Sequence, residues 1–366
     1  MLNRRKVLGL IGGGSVLAAA GASAAFLGTR TPHAALAPWD EAGGYPDPRM
    51  RALSWALLAP NPHNRQPWEA ELIGADRIEI WRDPARDLPA TDPFARQLTI
   101  GMGCFLELAR MAAAEEGLAT QATLFPDGED GPVALLALGP GGAPDPLFRH
   151  ASARRSHKEA FEDRPVGDEA AALAQHATLH LDGPERDALR AMALDAWLTE
   201  AATPAAWQES IDLLRIGKRE IVAQPDGIDA GGPMLETLAL LGLFTREAAS
   251  DPDNAGSRAA IEDTASAIRG APAVTLVTTD GNAREDQIEA GRRWLRLNLA
   301  ATGEGLALRP VSQALQEYAE VLPIRDALHA RFAPGGQTVQ MLGLLGYGER
   351  TPRTPRWPLE TRLRHA

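Results

Sequence analysis

The sequence predicts an α+β chain, and three observations predict it. Strand patterns and long helical patterns alternate along the chain instead of segregating. Both long helical patterns end on glycine, as helices commonly do. The strand, helix and glycine stop then occur a second time, which we read as a duplication of one α+β unit.

The elements follow in order. Residues 25–47 read as a linker, Pro/Gly-rich from Thr29 to Asp47. Arg49 to Leu58 reads as a short helix. It leads into the loop Ala59 to Trp68, whose three prolines disfavour helix at each preceding residue. Glu69 to Trp81 gives strand patterns, with Ile78, Ile80 and Trp81 around Glu79. Asp83 to Asp92 reads as loop. Arg96 to Glu116 is a long helix with Ile100, Cys104, Leu108 and Met111 on one face and Phe105 and Ala109 on another; Gly117 stops it. Val133 to Leu138 is a short buried strand, and Pro140 to Pro146 separates a first half, 48–140, from a second, 141–366.

In the second half, Ala273 to Thr279 is a β-branched strand. Asn282-Ala-Arg-Glu285 resembles a capping box, and Gln287 to Ala301 is a helix apolar on both sides, hence buried. Aligning Gln97, Gly101 and Gly117-Leu118 with Gln287, Gly291 and Gly305-Leu306 makes the second copy two residues shorter. Residues 164–263 form a mostly helical insertion, a lid over a pocket or a simple addition. Its clearest helical runs are Leu213 to Val222 and Met234 to Phe244, broken at Pro225-Asp226-Gly227 and Gly231-Gly232-Pro233.

Length and composition bound the function. A chain of 366 residues with 45% hydrophobic content holds two domain-sized units or one large one. A net charge of −11 argues against a nucleic-acid partner. The single cysteine, Cys104, excludes an internal disulfide and a cysteine-based zinc site. There is no G-x-S-x-G elbow and no H-E-x-x-H pair, and the eight histidines are scattered. We assign no metal ligand and no catalytic side chain.

Residues 1–24 read as an export signal. Asn3-Arg4-Arg5-Lys6 precedes an apolar run from Val7 to Ala20, and Ala22-Ser23-Ala24 offers a cleavage site. The paired arginines resemble a twin-arginine signal, so the expected partner is that export machinery and the expected location is periplasmic. Removing the three positive charges of the segment takes the net charge from −11 to about −14. The run is shorter than a bilayer span and broken by Gly12, Gly13 and Gly14, yet an uncleaved tether remains the alternative.

Two stretches carry the chemistry. In the proline loop, His63, Asn64, Arg65 and Gln66 offer the mixed donors and acceptors that a planar heterocycle's edge requires; they are equally the composition of a surface turn. Arg154-Arg-Ser-His-Lys158 places guanidinium, ammonium and hydroxyl groups as a phosphate monoester needs them, though such a run also suits a solvated face.

The loop Pro60-x-Pro-His-Asn-x-Gln-Pro-Trp68 resembles the A-P-S-x-x-N-x-Q-P-W signature of nitroreductase-like flavoproteins, with Asn61 in place of the usual Ser. That resemblance implies a loop lining the isoalloxazine ring of FMN through His63, Asn64, Arg65, Gln66 and Trp68. It further implies that Arg154, Ser156 and Lys158, followed by Phe161, hold the FMN phosphate. Gly305 and Leu306 would press a backbone N–H toward the flavin, and Pro310, Val311, Ser312 and Gln313 would continue along the ring. Gly346-Tyr-Gly348 and the arginines after it resemble the family's C-terminal ending. There Arg356, before Trp357-Pro-Leu-Glu360, is the best match for a phosphate ligand and Arg353 the second.

The phosphate stretch follows the loop here, whereas a single-domain nitroreductase has it first. The order resembles the Acg branch, which has two fused nitroreductase-like halves. This implies mixed β-sheets flanked by helices, a pseudo-dimer within one chain and one FMN per chain, whether the chain is a monomer or a homodimer. The expected activity is FMN-dependent transfer of hydride or electrons from NAD(P)H or another donor to a nitroaromatic, quinone or similar acceptor. The alternatives are a flavin-sequestering protein with a closed pocket and little turnover, and a non-flavin exported binding protein.

Overall fold

A computed structural model describes residues 29–364; the export-signal segment lies outside them. Ten strands are described: β1 Trp68–Ile73, β2 Arg77–Arg82, β3 Leu118–Leu124, β4 Ala134–Pro140, β5 Thr178–His180, β6 Leu214–Ile216, β7 Ile228–Ala230, β8 Ala273–Thr279, β9 Ala307–Pro310 and β10 Thr338–Gly346. They form two four-stranded sheets, ordered β1-β2-β4-β3 and β5-β8-β10-β9. The same order thus recurs, with β5, β8, β10 and β9 standing where β1, β2, β4 and β3 stand. Every pairing within both sheets is antiparallel. The mixing of strand directions expected above is therefore absent from either sheet. Among the described residues, parallel pairing is confined to β6 with β7 and to a bridge between Ala70 and Leu363.

The second sheet is covered on both faces, which explains an apolar run without gaps. Alternate residues point to opposite faces of a strand. Ala273 and Val277 join one hydrophobic core with Met341 and Leu345. Val274 and Leu276 join another with Leu342, Leu344, Leu189 and Leu328.

Two 20-residue helices, Arg96–Glu115 and Arg284–Gly303, lie together at the centre. They are 188 residues apart at both ends (96 to 284, 115 to 303), so the second is not two residues shorter. The partner of Gly291 is Gly103, not Gly101. A Cβ on Gly103 would lie 2.2 Å from the Ile288 carbonyl oxygen, and one on Gly291 would lie 2.0 Å from the Ile100 carbonyl oxygen. The contact is reciprocal, as in an isologous interface.

Other boundaries shift for local reasons. The first helix of the proline-loop region runs Pro48–Ala56, with the Asp47 side chain accepting from Arg49 N. The Arg284–Gly303 helix starts after Ala283, whose N–H donates to the Asp286 carboxylate at 2.9 Å, so Asp286 and not Glu285 closes its start. The run 213–222 is not one helix. Gly217, at φ +74, separates β6 from the Gly217–Ala223 helix. The run 234–244 is helical only over Pro233–Leu240. No helix of the described residues is long and apolar enough to cross a membrane.

Candidate functional site

The proline loop turns sharply because three of its non-glycine residues take left-handed backbone: His63 at φ +46, Asn64 at +51 and Gln66 at +50. Such geometry persists only where surrounding contacts over-determine it, and it concentrates at functional sites. Here the C-terminal tail fixes the loop. Arg356 donates to the Leu57 carbonyl at 2.7 Å and to Asn64 Oδ1 at 2.7 Å, and Asn64 Nδ2 donates to the Pro355 carbonyl at 3.0 Å. Trp357 N donates to Gln66 Oε1 at 2.9 Å, and Gln66 Nε2 donates to the Pro225 carbonyl at 2.7 Å.

Two cavities adjoin this loop, of 210 Å³ and 270 Å³. They share Pro60, Asn61, His63, Ser156 and Pro310 and so form one cleft. The first is walled by Ile100, Gly101, Cys104, Trp294 and Met341, with Gln97, Ser312 and Gln313 supplying polar edges. The second is walled by Asn64, Arg154, Arg155, Lys158, Arg309 and Arg356. Apolar walls with few polar groups at one end, and concentrated cationic groups at the other, suit a planar ligand carrying an anionic tail.

Arg154 is the most telling of these groups. It is buried, and its Nη2 donates to the Leu58 carbonyl at 2.7 Å. Its Nε and Nη1 are buried with no hydrogen-bond partner. Burial pulls Arg154 down to about 10, and likewise Arg155 to about 10 and Arg356 to about 9, with the neighbouring guanidiniums adding to the last two. An arginine does not lose its proton at neutral pH, so these shifts express positive charge without a sufficient counter-charge. A phosphate would supply that charge and accept hydrogen bonds from the unpartnered Nε and Nη1. Lys158 is less exacting, being half exposed and bonded to Asp229 at 2.7 Å.

The resemblance therefore places only part of the site. His63, Asn64, Arg154, Ser156, Lys158 and Arg356 line the cleft. Arg356 does so chiefly as the clamp on the loop. Arg65, Gln66, Trp68, Gly305, Leu306 and Arg353 do not line it. Arg65 donates to the carbonyls of Arg86 and Ala85 at 3.0 Å each and faces Asp226 at 3.7 Å. Burial alone would raise Asp226, but Arg215, Arg86 and Arg65 together hold it below its usual value. Gln66 is the tie described above. Trp68 is fully buried and stacks on Phe105 at 4.7 Å. Gly305 and Leu306 line a further hollow with Thr302 and Gly348, which shares Arg155 and His157 with the cationic cavity. Arg353 pairs with Asp40 at 2.6 Å. Pro310, Ser312 and Gln313 do reach the cleft, whereas Val311 turns into the core. Arg155, which sits 4.4 Å over the Trp39 ring, and Arg309 were not singled out from sequence. Arg155 stood inside the cationic stretch; Arg309, on β9, had no local signal.

Two titratable groups border the apolar end. Burial pushes the Cys104 thiol up to about 12, so it stays protonated. Burial holds His63 below its usual value, with Glu209 opposing and Arg65 assisting. Behind Gln313 lies Glu200, buried and accepting from Gln316 Nε2 at 2.7 Å and Gln313 Nε2 at 3.4 Å. Burial pushes Glu200 up to about 7, against these two donors and with Glu209 adding. Its folded value lies above its ordinary 4.5, so its contribution to stability is full below pH 4.5 and fades as pH rises through 7. Glu200→Gln should therefore gain about 3 kcal/mol of stability relative to wild type between pH 4.5 and pH 8. Denaturant unfolding at both pH values checks this; an identical difference at the two would refute it. Among the described residues no group of three or more His, Cys, Asp or Glu could hold a metal ion.

The fold and cleft point to a class: an α+β protein whose cleft suits a planar, phosphorylated ligand. No family model matches the sequence. Two curated relatives do, "Putative NAD(P)H nitroreductase Rv3131" and "Putative NAD(P)H nitroreductase MT3217", from two strains of Mycobacterium tuberculosis. Each is 28% identical over 334 residues, covering 84% of this chain and 91% of the relative. These names support the nitroreductase family for this chain. Among solved structures, the FMN-dependent nitroreductase NfnB of Mycobacterium smegmatis, in complex with NADPH, is 21% identical at a TM-score of 0.35, covering 58% of this chain and 95% of its own. A second, a "putative nitroreductase" of Anabaena variabilis, is 14% identical at a TM-score of 0.39, covering 80% and 82%. Both superpositions are loose.

Proposed function

We propose that this chain is an FMN-dependent oxidoreductase of the nitroreductase type, with a reduced nicotinamide nucleotide as donor and a nitroaromatic, quinone or similar molecule as acceptor. The observation that carries the reading is Arg154, which walls the cationic end of a cleft with an apolar extension and whose Nε and Nη1 are buried without a hydrogen-bond partner among the described residues. Bound FMN supplies the hydride and electron chemistry. The chain supplies the rest. Arg154 and Arg155 hold the phosphate, with Lys158 and Arg309 at its edge. Trp294 and Met341 exclude water from the ring, while Gln97 and Gln313 offer hydrogen bonds to its polar edge.

The reading extends to a fused pair of nitroreductase-like halves, as in the Acg branch, that builds one site in a single chain. The repeated strand order and the reciprocal Gly103–Gly291 contact support it. So does the cleft itself: Asn61 and Gly101 come from the first half, and Arg154, Trp294 and Gln313 from the second. Such a chain needs no partner subunit to complete its pocket. The signal of residues 1–24 would direct export by the twin-arginine route to the periplasm.

Turnover is favoured over sequestration by where the middle segment sits. Gly227, Ile228 and Asp229 wall the cationic end, and Gly227 N donates to the Asn64 carbonyl at 3.2 Å. No residue of 164–263 lines the apolar end, where an acceptor would meet the ring. The visible spectrum of the purified chain, titrated with FMN, tests the reading. One FMN per chain is expected, reducible by NADPH and reoxidised by a quinone or nitroaromatic. No uptake of FMN overturns the function. Uptake without reoxidation by any small acceptor replaces it with sequestration.

A further inference from the structure

The second feature of this surface is apolar and lies away from the cleft. Seven large hydrophobic side chains are exposed among the described residues, and five of them fall between residues 222 and 243. Met234 is 72% exposed, Leu240 77%, Leu241 66% and Leu243 66%. They belong to the Pro233–Leu240 helix and the turn after it. Single exposed hydrophobics are ordinary, but four on one short helix and the turn after it are a concentration that marks a contact surface. The helix has no alternative use for them. Its one acid, Glu236, points inward to Arg30 at 3.1 Å and accepts from Lys218 N at 3.1 Å.

The position of this patch names its occupant. Thr29 is bound at its edge, its carbonyl accepting from Lys218 Nζ at 2.8 Å. The chain before Thr29 holds Arg4, Arg5 and Lys6 followed by the apolar run Val7 to Ala20, a composition suited to a membrane and its interface. The patch thus sits where that segment joins the folded body, with Arg219 exposed on the neighbouring helix. We propose that the 233–243 face is a lipid-docking surface, with Met234, Leu240, Leu241 and Leu243 entering the interfacial layer of a bilayer. Without Arg4, Arg5 and Lys6 the body carries about −14 (−11 minus 3), which repels it from anionic headgroups, so the contact is apolar in origin. It would orient the molecule on the membrane whether or not the signal is cleaved. It does not depend on flavin.

The buried, single Cys104 makes a direct test practicable, because an introduced cysteine is the only one a label can reach. The full chain carrying Leu241→Cys is labelled with an environment-sensitive fluorophore and mixed with vesicles of phosphatidylglycerol and phosphatidylethanolamine. A control carries Leu198→Cys, exposed on the Gly183–Ala202 helix. The expected result is a blue shift at position 241 with quenching by nitroxide lipids, and neither at 198. The double variant Leu240→Glu/Leu243→Glu should partition at least about tenfold more weakly than wild type. Three outcomes overturn the proposal. They are no response at 241, a shift that grows with protein concentration without lipid (a second copy), and a shift present at all concentrations without lipid (the N-terminal segment covering the patch).

Discussion

Arg154→Ala should lower FMN affinity about a thousandfold, while Arg353→Ala should leave it within about twofold. Arg154 has two buried guanidinium nitrogens, Nε and Nη1, that no atom of the described residues partners. Hydrogen bonds from a charged donor to phosphate contribute about 1.5–3 kcal/mol each, so the pair is worth about 4 kcal/mol. Arg353 already spends its charge on Asp40 and stands outside the cleft. Arg154→Lys restores the charge but not the fork, and should recover about one factor of ten. The bond from Nη2 to the Leu58 carbonyl is also lost on truncation, but Arg356 Nη2 approaches the same oxygen at 3.4 Å and keeps it partnered. Titration by flavin fluorescence gives the constants, and riboflavin, which lacks the phosphate, is the discriminating ligand. Arg154→Ala should change riboflavin affinity by less than about threefold. An equal loss for FMN and riboflavin would show that Arg154 shapes the pocket instead of binding phosphate.

How much of this was legible in the sequence varies residue by residue. The α+β class was, because helix and strand periods are local. The cationic stretch was, since Arg154 and Ser156 do reach the cleft. The proline loop was legible as a feature but not as a set of contacts. Gln66 has the donor and acceptor that a flavin edge needs, and the Pro225 carbonyl and Trp357 N–H need the same two groups. Only the left-handed turn at Gln66 decides between them, and it depends on a tail nearly 300 residues away in sequence. Arg65 is similar: a guanidinium near a flavin and one near Asp226 look identical in one dimension. Gly305-Leu306 served as an ordinary helix stop, since a glycine at φ +71 ends a helix with or without a ligand beside it. β5 went unread because three residues, Thr178–His180, show too little alternation to register. The helix register was misjudged because Gly101 was matched to Gly291 by proximity to glutamine. The glycine that faces Gly291, Gly103, is set by contact across the molecule.

That contact carries a large stability effect. Gly103→Ala and Gly291→Ala should each cost about 3 kcal/mol or more, although alanine is the better helix former by about 1 kcal/mol. The penalty comes from space. Each added methyl would sit at 2.0–2.2 Å from a backbone carbonyl oxygen of the facing helix, and backbone cannot rotate away as a side chain can. The two helices would have to separate, opening the core around Trp294 and Phe105 and widening the cleft between Gly101 and Trp294. Gly117→Ala and Gly305→Ala are the controls. They sit at φ +75 and +71 with no atom within 4 Å of an added Cβ, so only the left-handed backbone opposes them, at about 1 kcal/mol. The double variant Gly103→Ala/Gly291→Ala should cost less than the two singles together, because both methyls push the same pair of helix axes apart. Denaturant unfolding of the five variants decides it. If Gly103→Ala proves no more costly than Gly117→Ala, the helices are not held at glycine distance, and the reciprocal contact that supports a fused pair of halves goes with it.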